Sequence, residues 1–203
     1  MSHTADGHTA DPHFGTATTS KLAMWVFLLS DALMFAGFLL GYGILRAHQP
    51  AWPNPTDYLG INFTAGMTFL LICSSVTMVM ALAAAHEKNK KQALLFLGLP
   101  ILGGVLFLCG QVFEYTHLYH EKHMTLSGAH LDIPQFASTF FVITGFHGAH
   151  VTSGVIYLSV LFVQMATKNK YLDDPNGLEI AGLFWHFVDL VWILVFTFIY
   201  LIV

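Results

Sequence analysis

The chain has 203 residues, and its 8 Lys and Arg against 12 Asp and Glu give a formal net charge of −4 with 12 His taken as neutral. Charged residues make up 10% of the chain and hydrophobic ones 55%, which leaves too few polar side chains to coat a water-soluble globule. No basic surface capable of neutralising a run of phosphates exists, so nucleic acid is not an expected partner.

Residues 1–20 read as a flexible polar tail. They contain no Lys or Arg and no apolar centre, so they are not a secretory signal peptide. HTAD occurs twice, at His3 to Asp6 and His8 to Asp11, without apolar partners to offset the entropy of ordering. Ser20 is expected to cap the first helix and Lys21 to mark its membrane boundary.

Residues 21–203 carry five uncharged or nearly uncharged runs, about 22–45, 61–85, 93–118, 136–166 and 180–203. Each is long enough to cross a hydrocarbon core of about 30 Å as a helix. The runs lack the alternation of a barrel strand, and helices satisfy their own backbone in lipid. The expected fold is therefore an all-α membrane protein, a bundle of five transmembrane helices. Cys73 and Cys109 lie within these runs and are expected to be small buried hydrophobes rather than a disulfide.

Five crossings place Lys21, Lys88, Lys90, Lys91, Lys168 and Lys170 on one side, with Arg46 and Lys122 opposite. The positive-inside bias puts the N-terminus in the cytoplasm and the C-terminus in the periplasm. His117, His120, His123 and the stretch HQPAWPNP then lie on the outer face, where Trp52 suits the interface.

Carboxylates within a span are costly and need an explanation. Asp31, Glu114 and Asp189 are such groups, each either functional or a helix-to-helix hydrogen-bond partner. His147 and His150, Glu114 and His117, and His186 and Asp189 are spaced three apart and so share a helix face, expected to point inward. Glu114-x-x-His117 alone is short of a carboxylate-bridged dinuclear iron site, which needs that motif from two helices and a Glu from each of two more. A metal site is not expected. His186 and Asp189 read as a buried structural couple. Gly37-x-x-x-Gly41 and Gly145, Gly148 and Gly154 promise close helix packing. Pro100 is a candidate kink and Pro134 a helix starter. Phosphate loops, nucleophile elbows and inverted repeats are lacking.

The run STFFVITGFHGAHV from Ser138 to Val151, followed by WHFVDLVW from Trp185 to Trp192, closely resembles the signature of subunit III of the haem-copper terminal oxidases. Two weaker runs, FLLSDALMF from Phe27 to Phe35 and QVFEY from Gln111 to Tyr115, fall in the family's order. The resemblance covers all five spans and implies the five-helix bacterial form, without the two additional N-terminal helices of the mitochondrial type. Asp31 stands where the family carries a membrane Glu that reacts with hydrophobic carbodiimide.

What the resemblance implies is an accessory subunit of a bacterial cytochrome c oxidase in the aerobic respiratory chain, in the cytoplasmic (inner) membrane. It would have no catalytic residue and no haem or copper of its own, the haem and copper residing in partner subunits. Subunit I, subunit II and a small subunit IV are the implied partners, and bound phospholipid the implied ligand. The task implied is to brace subunit I, hold structural lipid and support proton uptake while O2 is reduced to water. Glu114, His147, His150, Trp185, His186 and Asp189 would serve helix packing and lipid contact. His86, Glu87, Asp173 and Asp174 would form a proton-collecting surface. A ubiquinol oxidase subunit III is the alternative, and a membrane di-iron oxygenase a more distant one.

Overall fold

A computed structural model of the chain describes residues 18–128, 133–168, 170–172 and 174–202. It contains α1 (Thr19–His48), the short α2 (Pro55–Tyr58), α3 (Ile61–His86), α4 (Lys90–Lys122), α5 (Pro134–Lys168) and α6 (Asn176–Val195). A π-helical segment, Phe196–Leu201, continues α6. Among the described residues there is no strand, and five helices are long and apolar enough to cross a membrane. The helices run a few residues past the apolar runs because backbone hydrogen bonding continues into the polar boundary, where side chains such as Lys90 and Lys168 are tolerated.

Capping explains where the helices begin. Thr18, not Ser20, caps α1, its side chain accepting from the Lys21 backbone N–H at 3.4 Å. Ser20 sits in the first turn, two positions too late to receive that donor. Asn89 caps α4 in the same way through the Gln92 N–H, and Pro134 opens α5. Pro100 lies inside α4, which continues beyond it to Lys122.

The turn from α3 to α4 is a Schellman motif. The Asn89 N–H bonds the Ala84 carbonyl and the Lys88 N–H the Ala85 carbonyl, both at 2.9 Å, with Lys88 left-handed at φ 57°. This tight stop folds α4 back against α3, and the two form the most extensively packed pair.

α6 is the most buried of the spans, and it packs on α3 and α5. Its Trp185 and Trp192 are each 1% exposed and form the centre of the core. Gly104 and Gly154 make room for Trp185: a Cβ would stand 2.7 Å from the indole at Gly104 and 3.0 Å at Gly154. The first span packs mainly against α6 and α5 and is the least buried. Gly37 and Gly41 have nothing within 4 Å, so this pair faces away from the bundle and does not produce the close packing expected of it. Cys73 and Cys109 are likewise exposed on the apolar outer surface, not buried, and both are free. A small apolar thiol is compatible with a lipid-facing position as well as with a core.

Candidate functional site: polar ties between the spans

α1 is held at three heights by polar contacts. At its N-terminal end Lys21 pairs with Glu179 of α6, and Thr18 donates to Asn176. At its far end the Arg46 guanidinium donates to the Ile202 carbonyl at 2.5 Å. Between them, Asp31 Oδ2 lies 3.1 Å from His150 Nε2 of α5. His150 Nδ1 is 2.8 Å from the Phe146 carbonyl, and Phe35 packs edge-on against the ring at 5.2 Å. A carbonyl only accepts, so Nδ1 carries a hydrogen. Nε2 is left for the contact with Asp31, which ties α5 to α1.

His147 parts company with His150. It is fully buried, lies 4.8 Å from the Trp192 ring at 30°, and receives the edge of Phe107 at 5.7 Å. Neither ring nitrogen has a hydrogen-bond partner among the described residues. The two imidazoles were expected to share one inward face, but the 60° offset of a three-residue spacing is enough to send one to α1 and the other to the core.

Glu114 on α4 accepts from Thr64 Oγ1 of α3 and from the Tyr200 hydroxyl, each at 3.0 Å and one to each carboxylate oxygen. Tyr200 belongs to the π-helical segment, whose widened turn sets the register that brings the phenol to the carboxylate. His117 is not hydrogen-bonded to Glu114, although it lies close enough to act on it electrostatically. Its exposed ring lies 3.3 Å from Glu121, one turn on, as suits the polar end of the helix. One turn before Glu114, Gln111 donates to the Thr144 carbonyl at 2.7 Å and to the Tyr115 hydroxyl at 3.1 Å, while Tyr115 and Thr144 share a 2.6 Å bond. α4 is thereby tied to α5.

α6 and α3 are joined by a ladder. Trp185 Nε1 donates to Ser74 at 3.1 Å, and Trp192 Nε1 to Thr68 at 2.9 Å. His186 Nδ1 lies 2.5 Å from Ser75 Oγ. The direct His186–Asp189 couple expected from spacing is replaced by contact through α3, since Ser75 also interacts with Asp189. Asp189 is buried, and its Oδ1 has no partner among the described residues. Among those residues no three His, Cys, Asp or Glu side chains converge to hold a metal ion.

At the Lys21 end, His86 approaches Glu179 at 3.4 Å. Asp174 accepts from the Asn176 backbone N–H at the start of α6, and Glu87 is exposed beyond the end of α3. Asp173 lies outside the described residues. Thr64, Thr68, Ser74, Ser75, Gln111, Tyr115, Thr144 and Tyr200 carry much of this network, and none was a sequence candidate. Their signal is weak because hydroxyls on a membrane helix can bond their own preceding carbonyl, as Ser159 does.

A multi-pass, all-helical membrane protein whose intramembrane polar groups join its own helices is the class these features define. The family model described as cytochrome c oxidase subunit III matches residues 5–203. The cytochrome bo(3) ubiquinol oxidase subunit 3 of Pseudomonas aeruginosa is 32% identical over 98% of this chain and 94% of its own length. The cytochrome c oxidase subunit 3 of Synechocystis sp. is 35% identical over 95% of this chain and 80% of its own. The probable quinol oxidase subunit 3 of Staphylococcus saprophyticus is 32% identical over 100% and 97% respectively. The chain belongs to the subunit III family of the haem-copper oxidases, and hence to a multi-subunit terminal oxidase complex.

Proposed function

We propose that the chain is the accessory, non-catalytic subunit III of a bacterial cytochrome c oxidase in the inner membrane, with its N-terminus cytoplasmic. It braces the haem-copper subunit I beside subunit II, with a small subunit IV as a further neighbour. It holds structural phospholipid and sustains proton uptake over many turnovers. What carries this reading is that Asp31, Glu114, His150 and His186 each make a polar contact with a residue of another helix, the arrangement of a brace. A quinol oxidase is the second reading, because relatives of both names match at similar identity.

The test is purification of the tagged chain from its native membrane in mild detergent. Co-purification of a subunit II with a dinuclear copper centre and oxidation of cytochrome c support the first reading. Oxidation of quinol by a complex lacking that centre selects the second. Recovery of the chain without any haem-bearing partner would reject both.

A further inference from the structure

An apolar groove runs along the seam between α1 and α6. One half, of about 440 Å3, is lined by Trp25, Leu28, Leu183 and His186, and the other, of about 450 Å3, by Leu39, Gly43, Leu194 and Phe198. Ala32, Phe187 and Leu190 line both halves, so the two are continuous. From Trp25 to Gly43 the groove is about 27 Å long at 1.5 Å per residue, a long apolar slot along the helix seam.

The groove has one strongly polar side chain in its wall. His186 stands six residues past Ile180, where the apolar run of this span begins, and so about 9 Å inside the hydrocarbon boundary. Its Nδ1 is engaged by Ser75, which interacts with Asp189, while Nε2 has no hydrogen-bond partner among the described residues. A phospholipid threading the groove would keep its ester and phosphate groups at the interface and offer only methylenes at this depth. An occupant matching both the slot and the imidazole has a slender apolar tail and a polar ring that enters the bilayer interior.

We propose that the α1–α6 groove binds a lipid-soluble isoprenoid quinone, its ring oxygen hydrogen-bonded to His186 Nε2 and its tail lying towards Phe198. Trp25 and Phe187 offer aromatic surface to the ring. Ser75 Oγ donates to Nδ1, which leaves the imidazole hydrogen on Nε2 to be donated to the ring oxygen. The proposal concerns binding and requires no electron transfer within this chain.

The test uses the full chain in phospholipid nanodiscs and a ubiquinone with a short isoprenoid tail. Trp25 fluorescence is isolated by difference from Trp25→Phe, and an azido derivative of the same quinone maps cross-links. The expected results are saturable quenching, an apparent dissociation constant raised about tenfold by His186→Leu, loss of saturation in Ala32→Phe, and cross-links confined to α1 and α6. Quenching that rises linearly with quinone and is the same in both variants, or cross-links scattered over α3, α4 and α5, overturns the proposal and leaves the groove to acyl chains only. If His186→Leu does not fold, the cross-link map on the unaltered chain decides. The measurement involves no partner subunit, so its failure leaves the accessory-subunit reading standing.

Discussion

Asp31 and His150 meet across the α1–α5 interface at 3.1 Å, and the second ring nitrogen of His150 is committed to the Phe146 carbonyl. The contact joins the least buried span to its neighbour, so it both gives a membrane carboxylate a polar partner and fastens α1. Asp31→Ala should leave the initial oxygen consumption of the assembled oxidase nearly unchanged and shorten its active lifetime during sustained turnover. Asp31→Glu should retain the wild-type lifetime. An oxygen electrode followed through many turnovers checks both, and a wild-type lifetime in Asp31→Ala would remove this carboxyl from the account.

His147 behaves oppositely. With no hydrogen-bond partner and aromatic rings on two sides, it contributes shape to the core. His147→Phe should be neutral or stabilising by up to about 1 kcal/mol, because removal of an unsatisfied polar group offsets the change of ring. His150→Phe should cost about 1–3 kcal/mol by stranding Asp31. Thermal unfolding of the two variants in one detergent compares them directly.

Glu114 depends on two hydroxyls from different elements. Thr64→Val and Tyr200→Phe should each destabilise by about 1 kcal/mol, and the double variant should depart from their sum because both act on one carboxylate. A double-mutant cycle of unfolding midpoints measures the coupling, and strict additivity would count against a shared node.

The glycines should separate by face. Gly154→Ala places a Cβ 3.0 Å from Trp185 and should cost about 1–3 kcal/mol by overpacking. Gly37→Ala and Gly41→Ala meet open space and should leave the stability of the isolated chain unchanged or slightly raised. Unfolding of the three single variants distinguishes these outcomes.

The five spans are legible in the sequence because length and hydropathy alone specify a membrane helix. Asp31, Glu114, His150 and Asp189 are legible as anomalies, since a carboxylate or imidazole in lipid stands out by its cost. Their partners are not. Periodicity tells which residues of one helix share a face, yet it says nothing about which helix comes opposite. For that reason the Asp31 partner of His150 was not foreseen, and Ser75 came between His186 and Asp189. Tyr200 was hidden further by the π-helical turn, which shifts every later residue out of the 3.6 repeat. Gly37-x-x-x-Gly41 has the right pattern for close packing, but a pattern does not say whether its face turns towards this chain or away from it.

The most direct measurement is metal and haem analysis of the tagged chain, first in the complex extracted by mild detergent and then after dissociation to the folded single chain. The account predicts haem and copper in the complex, with neither remaining on the separated chain. Stoichiometric iron or copper retained by the separated, folded chain would contradict it.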